Sequence, residues 1–446
     1  MNGRPIRQLW LPFVQAEDDL FHANPTSDHP TKNVQVLEQA LERDNMFQAL
    51  ARVEHNGGSP GVDGMTVEEL GGYLKEAWPT IRQSLLDGDY RPQPVRRVSI
   101  PKPTGGIRHL GVPAVLDRLI QQALLQVLQP QWDPTFSESS FGFRPGRSAR
   151  QAIAQAQRYI RQGLKWVVDI DLARFFDRVN HDRLISLVEK RTKDHRIVTL
   201  IRRYLRSGVI DGDGYHETLE GTVQGGPISP LLANLLLDGL DKELEQRDHR
   251  FVRYADDCNV YVKSRRAGLR VMASLTRFLG QRLRLDVNVS KSSVDRPWNR
   301  KFLGFSFTRR DCRRKISLAG LRRFKDQVRE ITTRTRGRSI RTIVQDLRQY
   351  LRGWIGYFGF TEARSVFKEL DSWIRRRLRC YIWKQWGRRG YKELRKRGVS
   401  RDLAWNTAKS AHGPWRLSRS PGLTIALGAR YFVSLGLPLL YERTLW

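Results

Sequence analysis

The chain has 446 residues, 40% of them hydrophobic, and this length predicts more than one folded domain. Lysine and arginine number 78 against 46 acidic residues, and the formal net charge of +32 would be self-repelling unless a polyanion covered the surface. The charge therefore indicates nucleic acid as the partner, while three cysteines without a CxxC pair exclude a disulfide framework and a four-cysteine zinc site.

The same features predict a reducing, cytoplasmic setting of bacterial type, in which association with the nucleoid is an option. The amino-terminal apolar run at 9–14 is short, contains Pro12 and is followed by acidic residues, which is unlike a signal peptide. No stretch approaches the ~20 uninterrupted apolar residues of a membrane span, so no membrane partner is expected.

The first third of the chain predicts an extension, a helix and a cationic hairpin. Residues 1–33 mix Pro, Asn, Asp and His without a sustained period, which is typical of a weakly ordered segment. Apolar residues then recur at helical spacing from 34 to 53, ahead of a turn-rich segment. Residues 95–100 and 107–110 are strand-like and enclose a turn rich in Pro and Gly, which predicts the hairpin.

Beyond this hairpin, predicted helices alternate with short strands. Helices are predicted at about 114–130, 149–161 and 231–247, and strands at 165–171, 251–254, 259–262 and 302–307. Ala255, Asp256 and Asp257 lie between two of these strands, which predicts a hairpin with acids at its tip. Beyond Lys315 no strand pattern follows and long basic amphipathic helices dominate, so a domain boundary is predicted near that residue.

Three carboxylates are candidates for catalysis. Asp171 ends one predicted strand, and Asp256 and Asp257 occupy the hairpin tip. Carboxylates are hard oxygen ligands that suit Mg2+, and two such ions about 4 Å apart can activate a primer 3'-hydroxyl and stabilise departing pyrophosphate. The alternative is that an Asp pair in a turn serves only capping or solubility.

Five sequence blocks in a fixed order carry a resemblance to a known family. They are Phe-Arg-Pro-Gly-Arg at 143–147, Asp-x-x-x-Phe-Phe at 171–176, Gln-Gly-Gly-Pro-x-Ser-Pro at 224–230, Tyr-Ala-Asp-Asp at 254–257 and Phe-Leu-Gly-Phe at 302–305. In this order they resemble the successive blocks of group II intron-encoded reverse transcriptase/maturases, from about residue 37 to the carboxyl terminus. The segment 351–358 is similar to the maturase, or thumb, region of that family.

The resemblance implies an α+β fold with the fingers and palm of a right-hand polymerase, an α-helical thumb and a small basic carboxyl-terminal region. The implied segments are an extension at 1–33, fingers and palm at 34–314, the thumb or maturase X domain at 315–387 and a DNA-binding region at 388–446. Only Cys380 follows residue 312, which is unlike the paired cysteines of relatives with an HNH nuclease. The chain therefore resembles the endonuclease-lacking, group IIC lineage.

The implied function is RNA-directed DNA synthesis, in which a primer 3'-hydroxyl is extended with dNTPs on an RNA template. The implied partners are an RNA template, a DNA or RNA primer, group II intron RNA and target DNA, so that splicing and retrohoming are assisted. Two alternatives stay open: an RNA-binding maturase with a vestigial polymerase, and a host-adapted reverse transcriptase in repair or defence. The oligomeric state is not predicted.

The resemblance also implies roles in the catalytic site. Asp171 and Asp256 would be direct metal ligands, Asp257 the third acid, and the backbone carbonyl of Leu172 a further metal contact. The implied cofactors are two Mg2+ ions, with Mn2+ as an alternative. The neighbouring Asp169 is interpreted as a supporting carboxylate satisfied by backbone or arginine.

The implied substrate contacts begin with Phe176, which matches the position where a bulky ring excludes a ribose 2'-hydroxyl. Phe175 is interpreted as a core residue. Lys102 and Arg108 are similar to fingers residues that clamp the triphosphate, with template phosphate as the alternative contact. The remaining implied contacts are Gln224 and Gly225, beside the nascent base pair, and Lys291, near the leaving group.

The main phosphate-binding surface is expected in the basic carboxyl-terminal part. Residues 301–400 hold 29 Lys plus Arg and 8 acidic residues, which is +21 of the net +32. The nucleic-acid-binding candidates are Arg375, Arg376 and Arg377, together with Arg144 and Arg147 in a block that resembles a template-contacting loop. For both groups the alternative is a solvated surface without a partner.

Overall fold

The computed structural model describes residues 36–101, 105–335 and 337–442, and these divide into two compact units with the boundary between Pro297 and Trp298. The predicted extension at 1–33 and the candidate Lys102 lie outside the described residues. No helix in the described ranges is long and apolar enough to cross a membrane.

The first unit alternates helices and strands, as the sequence predicted. Its helices are α1 (Val36–Ala40), α2 (Arg43–Asn56), α3 (Val67–Leu86), α4 (Val115–Trp132), α5 (Ala149–Arg161), α6 (His181–Arg191), α7 (His195–Leu205), α8 (Ser229–Gln246) and α9 (Arg265–Phe278). Its strands are β1 (Val95–Pro101), β2 (Ile107–Val112), β3 (Trp166–Ile170), β4 (Val209–Asp211), β5 (Gly214–His216), β6 (Arg250–Tyr254), β7 (Asp257–Val262) and β8 (Ser293–Asp295).

These strands form two four-stranded sheets that differ in strand direction. The amino-terminal sheet has the order β2-β1-β4-β5, in which β1 is antiparallel to β2 and parallel to β4. The central sheet has the order β6-β7-β3-β8, and all of its neighbours are antiparallel. Because β3 lies between β7 and β8, residues at its end are held from both sides.

The core of the first unit lies between the central sheet and its helices. Helix α8 is buried along most of its length because many of its own residues are apolar, among them the buried Leu232, Leu236 and Leu240. Each fully buried aliphatic side chain contributes about 1.5–3 kcal/mol, so this helix anchors the strands that carry the acids. The helix begins at Ser229, two residues before the predicted start, with Ile228 as its N-cap and Pro230 in its first turn.

Local signals explain other helix boundaries. α5 begins with a capping box, in which the Ser148 hydroxyl accepts the Gln151 N–H and the Gln151 side chain accepts the Ser148 N–H. α4 continues two residues beyond Pro130, where the sequence predicted its end. A proline in the final turn removes only one of the last helical hydrogen bonds, so the turn can still form.

The second unit is mainly helical. It contains the strands β9 (Phe305–Phe307) and β10 (Arg314–Ile316) and the helices α10 (Leu318–Ile331), α11 (Ile340–Phe358), α12 (Ser365–Trp386), α13 (Gly390–Lys396), α14 (Arg401–Lys409), α15 (Pro414–Leu417), α16 (Pro421–Ala426) and α17 (Ala429–Ser434). β9 and β10 form an antiparallel pair.

The unit boundaries differ from the predicted ones because of packing that the sequence does not reveal. Phe305, in the strand predicted to complete the fingers and palm, contacts the rings of Tyr357 and Phe358 in α11, so this strand belongs to the second unit. One hydrophobic core runs from Ile316 to Leu440. The predicted segments 315–387 and 388–446 therefore share a core, as far as the structure describes them.

Candidate active site

The site is built on β3 and the β6–β7 hairpin. The antiparallel register pairs Asp169 with Asn259 and ends at the pair Ile170 and Cys258, so Asp171 and Asp257 are the next residues of the two strands on that side. Strand order thus brings the acid at the end of β3 next to the hairpin tip, as the sequence predicted. The hairpin turn is tighter than expected, because β7 begins at Asp257 and only two residues connect the strands.

Asp256 and Asp171 interact electrostatically. Burial is the largest factor that raises the pKa of the Asp256 carboxyl above its ordinary value, and the negative charge of Asp171 raises it further. The positive charges of Arg108 and Arg253 act in the opposite direction. These couplings place two candidate acids and the candidate cation Arg108 in one electrostatic neighbourhood.

The backbone of Asp171 is fixed by the segment before β8. Its N–H donates to the Ser292 hydroxyl at 3.0 Å, and its carbonyl accepts the Asn288 N–H at 2.8 Å. Lys291 belongs to the same segment, and its Nζ lies 3.6 Å from Asp171 Oδ1. Lys291 is therefore beside the first candidate acid, which is compatible with a position near a leaving group.

The donor chemistry of this site suits a hard divalent cation. A cation between Asp171 and Asp256 would offset both the burial of the Asp256 carboxylate, which is the main reason for its raised pKa, and the repulsion by Asp171. Asp257 is exposed, and in residues 36–101, 105–335 and 337–442 no three His, Cys, Asp or Glu side chains are gathered as a ready metal cluster. Asp171 and Asp256 thus offer carboxylates that suit a cation, and the metal-ligand roles of all three acids remain predictions.

Asp169 has a different environment from the three candidates. The side-chain amide of Asn259, on the adjacent strand, lies 2.9 Å from Asp169 Oδ1 in the orientation that pairs donor with acceptor. The partner is a side-chain amide, whereas backbone or arginine was expected, and the supporting role of Asp169 remains a prediction.

The residues after Asp171 differ in burial. Leu172 is buried and forms an isolated bridge with Val287. Phe175 is 2% exposed and belongs to the main core, whereas Phe176 is only partly buried and packs on that core, with the two rings 5.1 Å apart. The burial supports Phe175 as a core residue and leaves part of the Phe176 ring accessible for a contact.

The Gln224-Gly225 loop is attached to β2, the strand that carries Arg108. The Gly111 N–H donates to the Gln224 carbonyl at 3.0 Å. Gly225 has φ of +136°, and a Cβ there would lie 2.3 Å from the Gly111 carbonyl oxygen. Only glycine permits both the backbone conformation and the close approach, so the loop position depends on this residue.

The position of Arg144 is at odds with the expected template contact. Its side chain is buried, its Nε donates to Asp133 Oδ1 at 2.8 Å, and its other nitrogens donate to the carbonyls of Ser137, Ser140 and Asp133. A guanidinium used in this way holds the loop together and is not presented to nucleic acid. Arg147 is more exposed, pairs with Glu138 and lies over the Phe141 ring.

The arginine triplet of α12 is not a plain solvated face. Arg376 stacks on the Trp415 ring at 3.8 Å and donates to the Trp415 carbonyl at 3.2 Å. Arg377 donates to the Thr332 hydroxyl at 2.9 Å, and burial lowers its pKa. Two of the three cations thus connect helices of the second unit, while Arg375 is half-buried.

Sequence reasoning missed the buried charges behind the hairpin. Arg253 and Asp241 are completely buried and form an ion pair at 2.6 Å. Buried charges of this kind are rare unless paired, and the arginine inside the apolar strand 251–254 was the one available signal.

Family models match both parts of the chain. The model described as "Reverse transcriptase (RNA-dependent DNA polymerase)" matches residues 100–307, and the model described as "Group II intron, maturase-specific domain" matches residues 321–398. The first match, the α+β fold and the paired acids define the chain as a protein of the reverse transcriptase class. Since a maturase-specific domain follows, the chain carries the two domains of group II intron-encoded reverse transcriptase/maturases in order, which confirms the resemblance.

Individual proteins show the extent of the likeness. Group II intron-encoded protein LtrA from Lactococcus lactis subsp. cremoris is 38% identical over 214 residues, which are 48% of this chain and 35% of that protein. Protein YkfC from Escherichia coli (strain K12) is 36% identical over 226 residues, 49% of this chain and 59% of that protein. The matches thus span less than two thirds of either relative. The structure of apo telomerase from Candida tropicalis aligns with 82% of this chain and 68% of that chain, with a TM-score of 0.43 and 11% identity.

Proposed function

We propose that this chain is an RNA-directed DNA polymerase, which extends the 3'-hydroxyl of a DNA or RNA primer with dNTPs on an RNA template. The observation that carries the proposal is the approach of Asp171 to Asp256 at adjacent strand ends, within a segment that matches the reverse transcriptase model. A structural role alone gives no reason to set two repelling carboxylates together beside a cationic strand.

Asp171 and Asp256 would hold two Mg2+ ions, or Mn2+, with Asp257 and the Leu172 carbonyl as further ligands. When bound, such ions supply Lewis-acid activation of the primer hydroxyl and stabilise charge on the departing pyrophosphate. Arg108 carries a positive charge that reaches the same neighbourhood and would bind the triphosphate, with Lys102 as its partner. A positively charged side chain that is already held in place does not have to reorient when negative charge develops on the phosphates in the transition state.

The remaining residues of the site would select and orient the nucleotide. Phe176 would lie under the incoming sugar and exclude a ribose 2'-hydroxyl, and its partial burial against the core keeps the ring in place. Gln224 and Gly225 would border the nascent base pair on a loop that is attached to β2. Lys291, beside Asp171, would contact the leaving group.

The second unit would bind group II intron RNA and target DNA, and so assist splicing and retrohoming. The match to the maturase-specific domain and the excess of basic residues over 301–400 support this assignment. Since phosphate neutralisation releases counterions, the affinity is expected to fall steeply with salt. Among the candidates, Arg375 is better placed for phosphate than Arg144, Arg376 and Arg377, which donate to other parts of the protein. Arg147 is more exposed than Arg144 but would have to exchange its pairing with Glu138 for a phosphate.

The test is primer extension on an RNA template by Asp256→Asn, with Asp248→Asn as the matched control. Asp248 is an exposed acid that precedes β6 and pairs with Arg250, so the same chemical change there spares the site. Asp256→Asn should lower the extension rate by at least about 1,000-fold, because a lost metal ligand removes several kcal/mol of transition-state stabilisation. Binding to an intron transcript should be unchanged, and near-parental extension by Asp256→Asn would overturn the site assignment.

A further inference from the structure

The catalytic hairpin rests on a buried charged network. Arg253, in β6, has no exposed side-chain surface and binds Asp241 of α8 through two parallel contacts, Nε to Oδ1 at 2.7 Å and Nη2 to Oδ2 at 2.6 Å. The remaining terminal nitrogen, Nη1, donates to Asn234 Oδ1 and to the Ala255 carbonyl, both at 3.0 Å. The guanidinium therefore joins helix α8 directly to the residue that precedes Asp256.

The backbone of Ala255 has an unfavourable conformation that needs support from its neighbours. Ala255 has φ of +54°, in the left-handed region that costs a residue with a Cβ about 1–2 kcal/mol. Such conformations persist where contacts with the surrounding structure stabilise them, and they occur most often at functional sites. The Ala255 carbonyl accepts from Arg253, so the contact acts at the strained position itself.

A loop before α5 contacts the hairpin from another direction. The Arg253 N–H donates to the Ser139 carbonyl, and the Phe141 N–H donates to the Arg253 carbonyl, both at 2.9 Å. The Asn234 amide donates to the Gly142 carbonyl at 2.9 Å, and a Cβ on Gly142 would lie 2.3 Å from the Ala255 nitrogen. The loop thus leaves the turn almost no space to move.

Arg144 maintains the shape of this loop from inside. Its Nη1 donates to the Ser137 carbonyl at 2.6 Å and to the Ser140 carbonyl at 3.0 Å, while the other arm of the guanidinium binds Asp133. The Phe-Arg-Pro-Gly-Arg block at 143–147, which was expected to contact template, therefore stabilises the loop against which Ala255 packs.

We propose that Arg253, fixed by Asp241 and Asn234, is a positioning residue that, together with the loop at 139–142, orients Asp256 for metal binding. This inference rests on the proposed function and names the device that sets the geometry of its acid. Stability alone does not account for the network, because a buried ion pair can often be replaced by apolar residues of similar volume without loss. An apolar side chain could not donate the hydrogen bond that Arg253 gives to the Ala255 carbonyl.

The first test is Arg253→Lys in the full chain. Lysine keeps a positive charge opposite Asp241, but a single ammonium cannot bind a carboxylate at two points and also reach the Ala255 carbonyl. We expect the extension rate at saturating dNTP to fall about 10- to 100-fold with the KM for dNTP within about twofold, because misplacement by about 1 Å costs rate more than binding. Mn2+ binding, measured by electron paramagnetic resonance without nucleic acid, should weaken by at least about fivefold.

A second pair of variants applies the same change at two glycines. Gly142→Ala introduces a Cβ against the Ala255 nitrogen, whereas Gly72→Ala, in α3, introduces one that meets no atom within 4 Å. Gly142→Ala should show the same loss of rate and of Mn2+ affinity as Arg253→Lys, and Gly72→Ala should match the parent protein. Thermal unfolding of each variant identifies any that do not fold.

The outcomes separate this inference from the function on which it rests. Folded Arg253→Lys and Gly142→Ala proteins with parental rate and Mn2+ affinity would overturn it. If those variants do not fold, Asn234→Ala decides, because it keeps the Asp241 pair and removes one bond to each of Arg253 and Gly142. A parent protein that extends no primer would refute the polymerase, while the Mn2+ affinities would still decide whether Arg253 positions Asp256.

Discussion

A buried acid in α4 predicts that stability falls as pH rises through the mildly acidic range. Asp117 is 1% exposed, and its carboxylate accepts the Tyr90 hydroxyl at 2.8 Å and the Gln93 N–H at 3.0 Å. Burial raises the pKa of Asp117 from 3.8 to about 6, against the lowering effect of those hydrogen bonds. The folded protein therefore holds a proton that the unfolded chain would release.

The sign and size of the effect follow from linkage. Between pH 3.8 and about 6 the folded state binds more protons at Asp117 than the unfolded state, so the free energy of unfolding falls as pH rises. The full stabilisation by the retained proton is present below the unfolded pKa and is lost as pH rises through the folded pKa. A difference of about two pKa units corresponds to about 3 kcal/mol.

The assay compares urea unfolding of the parent protein with that of Asp117→Asn at several values from about pH 4 to about pH 7. The carboxamide does not titrate, and contributions from all other groups cancel in the comparison. The parent protein should lose about 2.4 kcal/mol relative to the variant across this range, because a small part of the change occurs below pH 4. A difference that stays constant with pH would show that Asp117 has an ordinary pKa in the folded state, which would refute the reasoning.

Three further predictions concern the site and the basic surface. Phe176→Ala should raise the ratio of ribonucleotide to deoxynucleotide incorporation by about 10-fold or more on one template, and an unchanged ratio would make the ring a core residue only. Gly225→Ala should lower primer extension at least about 10-fold with unchanged RNA affinity, because strain of about 1–3 kcal/mol and the Gly111 carbonyl displace the loop; a parental rate would contradict this. Neutralising Arg375 to Ala should reduce the salt slope of nucleic-acid binding by about 0.7–0.9, whereas neutralising all three arginines of the triplet should also lower thermal stability; a folded Arg375→Ala protein with a parental slope would remove this residue from the surface.

Much of the fold followed from local signals. α5 has the predicted bounds because Ser148 and Gln151 form a capping box within the sequence itself. The strands beside the acids were predicted within two residues at every end, since apolar residues flank a short polar turn. The compact units divide at Pro297 and Trp298, earlier in the chain than the predicted boundary near Lys315, because the attachment of Phe305 to α11 depends on a long-range contact.

The places of the candidate acids in the fold could be predicted from the sequence, but their supports could not. Asp171 and Asp256 stand at strand ends, and the alternating pattern indicates such ends directly. The tight turn at Ala255 lacks the glycine or asparagine that normally marks a positive φ, so its two-residue length was not foreseen. Arg144 was expected at a surface because its partners, Asp133 and two backbone carbonyls, become neighbours only in the folded loop.

The antiparallel register of β3 and β7 has a consequence for changes of chain length. Side chains alternate between the two faces of a sheet. One residue gained or lost within β3 or β7 would therefore turn the acid next to that strand away from the acid next to the other strand. The β4–β5 hairpin is different, because residues 212–216 are exposed and carry none of the candidate acids. Natural length variants, and an inserted epitope tag, should therefore be tolerated at 212–214 and not in β3 or β7, the strands next to Asp171 and Asp256.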